Sequence, residues 1–363
     1  FEVNSDDGDL KFRIGGRIQA DAATYSEDGL KHNDGTEMRR VRLFTQGVMW
    51  EHWKYKLQYD FTGSGINGIQ DAYLEYTGHK SWSVKMGHFK EPFSLQNITS
   101  SKYVLFTERA LISAFAPGRN IGLQVGTGGS NWSLNAGVFG QGRDGAIADD
   151  DEGWAVTGRG TFSPSIGENN RIHLGAALSY RGTGSIDSVR FRERPESHLT
   201  NTRLIDTGSI DTDHFLRTGI EAAFISGPFS MKAEYNRIDL DRNNAVLPDL
   251  DFDGYYVQGS WYITGESVAY NAKKSTFGRP AMKSIFGKGG IGAWQLALRF
   301  STLDLRDADI NGGKEENISL GLNWYTTPNI RLSANYVNVL NVDGGPGDGN
   351  EPDAFQLRAQ VEF

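Results

Sequence analysis

No cysteine occurs anywhere in the 363 residues. Disulfides therefore cannot brace long loops in an oxidising compartment, and thiolate metal sites and cysteine nucleophiles are excluded. Long hydrophobic runs are missing as well. Hydrophobic residues make up 38% of the chain and mean hydropathy is −0.46, so nothing approaches the ~20 apolar residues that a spanning helix requires. If the chain crosses a membrane, it does so with strands. Proline is scarce at 10 residues while glycine reaches 45, a mixture that suits many strands joined by tight turns. Positive charge is in deficit, the net being −8, which argues against general nucleic-acid binding. A signal peptide is lacking too; the chain opens at Phe1-Glu2-Val3, as a processed secreted protein would.

What the chain does contain is alternation with a period of two, in segments of about 10 residues separated by turn residues. In 53–61, Trp53, Tyr55, Leu57, Tyr59 and Phe61 share one face, and Lys54, Lys56, Gln58 and Asp60 the other. Trp294, Leu296, Leu298 and Phe300 alternate with Gln295, Ala297, Arg299 and Ser301. The last residues repeat the pattern, with Phe355, Leu357, Ala359, Val361 and Phe363 against Gln356, Arg358, Gln360 and Glu362. Sixteen such strands are predicted, near 10–25, 36–50, 53–62, 68–77, 81–89, 119–126, 131–140, 153–163, 169–181, 213–225, 228–240, 251–263, 291–303, 316–325, 330–340 and 354–363.

A soluble sandwich of two sheets also alternates, but the strand number and the connections discriminate. An even number suits a closed bacterial barrel, as do short turns on one side and long loops on the other. Glu51-His52, Gly78-His79-Lys80, Gly126 to Ser130 and Ser226-Gly227-Pro228 are short, whereas 90–118, 141–152, 182–212 and 341–353 are long. The exception is 264–290, long on the side of the short turns. Aromatic residues gather at strand ends, among them Trp50, Trp53, Trp82, Trp132, Trp261, Tyr262, Trp324 and Tyr325, where an interfacial girdle belongs. An unpaired backbone group in hydrocarbon costs several kcal/mol, so the first strand must pair with the last. The expected fold is all-β: residues 1–363 form one 16-stranded antiparallel transmembrane β-barrel with long loops on one side. Its expected location is the outer membrane of a Gram-negative bacterium, in contact with lipid and lipopolysaccharide, and Phe363 resembles the terminal signature of such barrels.

Charge is segregated along the chain. Stretch 85–119 carries Lys85, Lys90, Lys102, Arg109 and Arg119 against Glu91 and Glu108. Stretch 264–290 carries Lys273, Lys274, Arg279, Lys283 and Lys288 against Glu266 alone. Stretches 141–153 and 341–353 are acidic, so the negative balance comes largely from predicted external loops. In the second strand Arg40 and Arg42 share a face opposite Val41 and Leu43, and Arg190, Arg192 and Arg194 repeat that spacing in the loop 182–212. If those faces are luminal, guanidinium groups stand one above another along the bore. Arginine stays charged and its planar fork matches anion oxygens, so rings of Arg and Lys suit an anion path. The alternative is that these bases pair with Asp71, Glu75, Glu221 and Glu234 and brace the barrel.

Gly15-Gly16-Arg17-Ile18-Gln19-Ala20-Asp21, Arg39-Arg40, Trp53-Lys54-Tyr55, Thr99-Ser100-Ser101-Lys102 with Glu108-Arg109, Gly292-Ala293-Trp294, Asn323-Trp324-Tyr325 and Ser333-Ala334-Asn335-Tyr336-Val337 resemble, in order along the chain, the phosphate-selective porin O and P family. The resemblance implies a homotrimer whose protomers pass phosphate, pyrophosphate or related anions by diffusion, with the loop 90–118 folded inward as the constriction. By position, Arg39, Arg40 and Arg109 would form the central anion site with Asp71 opposite, Ser100 and Ser101 would donate hydroxyls, and Lys102 would stand beside them. Lys54 would line the approach, as would Arg190, Arg192 and Arg194, which match the family's arginine-rich loop less closely. The segment 264–290 looks like its long periplasmic turn that enters the lumen. Two departures stand out. Arg42 and Lys90 fall where the family's phosphate porin has aromatic side chains, and Asn97 replaces a lysine.

Two other functions compete with this one. A barrel selective for carboxylates, sulfate or large phosphorylated solutes would use the same cations, with only the geometry of the throat to discriminate. An outer-membrane hydrolase would need a nucleophile with a base. His32, His52, His79, His88, His173, His198 and His214 are scattered without a Ser or Asp motif beside them, and neither a cofactor nor a metal site is implied. The aspartates of 141–153 have the chemistry to hold Ca²⁺ or to bridge lipopolysaccharide through divalent ions, but solvated loop charge is the expectation.

Overall fold

The computed structural model describes residues 1–5, 9–26, 28–141, 151–167 and 170–363. Sixteen strands form its wall. They are β1 (Lys11–Ser26), β2 (Gly35–Met49), β3 (Trp53–Asp60), β4 (Ile69–Tyr76), β5 (Trp82–Lys90), β6 (Arg119–Gly128), β7 (Trp132–Phe139) and β8 (Glu152–Phe162), then β9 (Asn170–Gly184), β10 (His214–Ser226), β11 (Phe229–Asp241), β12 (Leu250–Tyr262), β13 (Ala293–Asp307), β14 (Ile310–Thr327), β15 (Ile330–Asp343) and β16 (Asp353–Glu362). Each pairs antiparallel with its neighbours in sequence, and β1 pairs with β16 from Arg17↔Glu362 to Ser26↔Asp353. The barrel is closed, and Phe363 completes the seam, its carbonyl accepting from the Gly16 amide at 2.8 Å. Gly16 is needed there, since a Cβ would lie 2.7 Å from the Phe363 ring.

The burial pattern is inverted relative to a soluble protein. Leu298 is 50% exposed while its neighbour Arg299 is 1% exposed, and Leu357 and Arg358 repeat the contrast at 46% and 2%. Apolar side chains face outward along every strand, which is stable only against hydrocarbon, and the polar set faces the bore. Aromatic pairs ring the turn-side rim, with Trp294 stacked on Trp324 at 5.0 Å, Phe229 on Trp261 at 5.8 Å and Trp53 against Tyr76 at 5.2 Å. Trp154 and Tyr180 meet at 5.4 Å on the opposite rim.

The barrel, its strand number and its closure are those expected. One hairpin differs. Residues 304–315, left between predicted strands, extend β13 and β14, and only Ala308 and Asp309 turn. Leu303 and Leu305 are buried in an internal apolar cluster with Phe191, Leu204, Ile205 and Ile210 of the connection 185–213, and with Leu111 and Phe115 of 91–118. The strands continue because packing against those inward loops stabilises them beyond the bilayer. Of the acidic loop 141–153, Arg143, Asp144, Asp149 and Asp150 lie outside the described residues.

Candidate functional site

The connection 91–118 has little regular structure, only a helical turn at Leu95–Ile98 capped by Ser94 and a 3-10 turn at Leu111–Phe115. Its backbone groups need partners, and the inner wall supplies them. Arg331 donates to the Val104 carbonyl at 2.8 Å, Asn323 to Leu105 at 2.8 Å, Arg358 to Thr107 at 2.6 Å and Arg299 to Glu108 at 3.1 Å. Gln19 and Gln360 donate to the carbonyls of Ser101 and Lys102, both at 3.3 Å. Inward-facing glycines make room for its apolar residues: a Cβ on Gly321 would stand 3.1 Å from Phe106, and one on Gly254 3.0 Å from Ile112. The segment therefore lies inside the barrel.

The turn 263–292 also enters the bore. Its Ser275 hydroxyl meets Ser133 at 2.9 Å and Thr161 at 2.6 Å on the far wall, and Arg279 pairs with Glu362 at 2.8 Å. Phe277 packs with Leu95 of the loop.

Charged groups inside the barrel fall into two sets. The first is paired. Glu108 accepts from Arg39 at 2.7 and 3.0 Å and lies 3.1 Å from Arg358 and 3.6 Å from Arg40. Arg39 and Arg40 can both face inward because the β1–β2 register slips between Gln19 and Ala20, so that Gln19 opposes Arg40, Ala20 opposes Met38, and Arg39 is the extra residue of a bulge. Arg42 is bound to Asp60 at 2.6 Å, Lys102 to Glu362 at 2.6 Å, and Asp71 takes Arg119 at 2.8 Å together with Lys56.

The second set has only neutral oxygens for partners. Arg17 donates to the Ser100 hydroxyl at 3.2 Å, Arg109 to the Gln96 and Thr99 carbonyls at 2.9 and 3.0 Å, and Lys90 to the Asn97 carbonyl. No salt bridge involves these three among the described residues. Arg17, Arg42, Lys90, Arg109 and Arg119 are close enough to repel one another. Like charges gathered in this way raise the potential of the enclosed space for an anion.

Lys90, Ser100 and Arg109 thus stand together, with Arg42 and Asp71 nearby. Arg39 and Arg40 sit on Glu108 instead. The Ser101 hydroxyl is buried without a hydrogen-bond partner, and Lys54, exposed on β3, stands opposite Glu75 in the ladder. In the connection 185–213, Phe191 is buried while Arg190 and Arg192 turn outward to Asp206, at 2.5 and 3.9 Å, and Arg194 binds the Thr200 carbonyl at 2.8 Å. Burial opposes ionisation of Asp206, yet the hydrogen bonds from Arg190 prevail and hold its carboxyl below the ordinary value. The sequence reading missed Arg17 and Arg119 as members of the cluster. Arg17 sits on the polar face of β1, two residues before Gln19, and that alternation is the signal that could have found it.

The molecule resembles known proteins along its full length. Porin O of Pseudomonas aeruginosa is 29% identical over 414 aligned residues, which cover 100% of this chain and 91% of that one. An anion-selective porin from Comamonas acidovorans superposes with a TM-score of 0.59 at 12% identity, covering 98% of this chain and 100% of that one. The trimer form of OmpT, an outer-membrane protein of Vibrio cholerae, gives 0.60 at 12% identity, covering 98% and 99%. At such identities the two structures speak for the fold alone. The profile of the phosphate-selective porin O and P family matches residues 12–363. On that match and on the inverted, closed barrel, the chain belongs to the phosphate-selective porin O and P family and is a porin of the Gram-negative outer membrane.

Proposed function

We propose that this porin is a passive channel, not an enzyme, through which anions diffuse, with phosphate or polyphosphate as the preferred solutes. One observation carries the reading: Arg17, Lys90 and Arg109 stand where the loop 91–118 faces the wall, and their only hydrogen-bond acceptors among the described residues are neutral oxygens. Asp60, Asp71 and Glu108 act on these cations only from a distance and form no salt bridge with them, so an anion in that space gains direct contacts that no carboxylate of the protein takes, and Ser100 offers a hydroxyl beside it. Arg39, Arg40, Arg42, Asp71, Ser101 and Lys102 belong to the same proposed site as its frame, with 91–118 as the constriction. Lys54 and Arg190, Arg192 and Arg194 serve as approaches. Trimerisation, as in the trimer form of OmpT, and contact with lipopolysaccharide complete the reading.

The paired state of Arg39, Arg40, Arg42 and Lys102 favours a second version, in which the pore prefers anions generally and holds no discrete phosphate site. Planar-bilayer recordings separate the two. Under a KCl gradient the reversal potential is expected near that of chloride, and a cation-selective value would defeat both versions. Phosphate added to the chloride current is expected to block it saturably, and Arg109→Ala is expected to weaken that block more than Lys102→Ala, because Lys102 is held by Glu362. Linear, non-saturating behaviour would leave the general anion pore.

A further inference from the structure

Behind the loop 91–118, on the inner face of β10 and β11, stands a cation that the proposed path does not use. Arg217 is 8% exposed, its guanidinium lies 4.5 Å from the centre of the Phe215 ring, and its Nε and Nη1 atoms have no hydrogen-bond partner. Asn236 faces the same way at 1% exposure, and both atoms of its amide are likewise without partners. The register places Asn236 opposite Gly219, two residues from Arg217. That diagonal spacing is roughly 7–8 Å between Cα atoms and lies within reach of a long side chain. Gly219 keeps the corner open, because a Cβ there would meet Asn236 Oδ1 at 2.8 Å and Phe93 of the loop at 3.0 Å.

The charges nearby are already committed. Glu91 accepts from Arg181 at 2.5 Å, from Asn120 at 2.5 Å and from Thr157. Glu234, further along β11, accepts from the Gln96 amide at 2.7 Å and from Tyr256 at 2.6 Å. No salt bridge reaches Arg217 among the described residues. Arginine does not shed its proton in proteins, and a buried cation without a counter-charge is strongly disfavoured. Water would satisfy the N–H groups but would bring no charge.

We propose that Arg217 and Asn236 hold a small monatomic anion, chloride in ordinary solution, between the loop and the wall. Its donors are Arg217 Nε and Nη1 and the Asn236 amide. Phe215, Ile238 and Phe93 offer no donor, and the Ser179 hydroxyl opposite Arg217 in the ladder is engaged with Thr157 at 2.8 Å, so the remaining oxygens of a phosphate would go unanswered, which selects a halide. The bound ion neutralises the wall beneath Phe93 and so helps seat the loop. The site shares no residue with the proposed Arg17, Lys90 and Arg109 path, so either can fail without the other.

Crystals of the intact porin grown with bromide in place of chloride test this directly. An anomalous bromine peak within hydrogen-bond distance of Arg217 and Asn236 is expected, and it is expected to vanish in Arg217→Gln. Absence of the peak in the unsubstituted protein, or its persistence in Arg217→Gln as an adventitious ion only, would overturn the proposal. Should that variant fail to assemble, Asn236→Asp supplies an internal counter-charge and is expected to expel bromide. Retention of the peak in Asn236→Asp would overturn it equally.

Discussion

Arg358 on the last strand and Asp21 on the first are joined across the seam that closes the barrel, Nε to Oδ1 at 2.7 Å and Nη2 to Oδ2 at 2.6 Å. They are direct partners in the ladder, so the fork of one guanidinium ties the two ends of the chain. The same group reaches inward to the Thr107 carbonyl and to Glu108. One side chain thus links closure of the wall to the seating of the loop.

Removing it should be felt in both places. Arg358→Ala leaves Asp21 buried without its partner, a change that costs about 3–5 kcal/mol when one member of a buried pair is lost. Urea unfolding in lipid vesicles measures it; a loss below about 1 kcal/mol would mean that the seam is held by the backbone ladder alone.

Glu108 neutralises a cluster of arginines that would otherwise face the bore. Glu108→Gln is expected to raise single-channel chloride conductance at low salt. The gain should shrink in 1 M KCl, where the Debye length falls to about 3 Å. An unchanged conductance at low salt would show that Arg39 and Arg40 do not act on the permeating ion.

The outward face of β13 offers a test of the membrane assignment. Leu298→Arg places a charge among Leu296, Leu320 and Trp261, and near mid-bilayer such a substitution costs about 2–4 kcal/mol. Unfolding in vesicles should register this loss, whereas tolerance of the arginine would mean that another protein and not lipid covers this face.

Within the connection 185–213, Asp206 contributes a pH dependence of one sign. The carboxyl of Asp206 is held below its ordinary value once the Arg190 hydrogen bonds have offset its partial burial. A depressed carboxylate contributes stability above its unfolded pKa of about 3.9, and that contribution is lost as the pH falls through the folded value. The buried Glu193 carboxyl of the same connection is raised by burial and works in the opposite sense, so in a Glu193→Gln background protease protection of the loop should hold from pH 7 to pH 5 and decline only in stronger acid. Asp206→Asn is expected to show the weakened protection already at pH 7.

The alternation in Trp294–Ser301 and in Phe355–Phe363 was enough to define strands, faces and an even barrel, because a pleated strand turns successive side chains to opposite sides whatever surrounds it. Full-length resemblance to a family added the inward loop. Which cations are free was decided elsewhere. Arg39 and Arg40 are neighbours in the chain, and strict alternation would send one of them to lipid; only the slipped register opposite Gln19 and Ala20 turns both toward Glu108. Arg17 meets Ser100 across 83 positions, and Arg358 meets Asp21 across 337. Such partners are set by barrel closure and by the path of the loop. A local pattern carries the direction of a side chain, but the charge it meets there depends on segments that only the tertiary structure brings together.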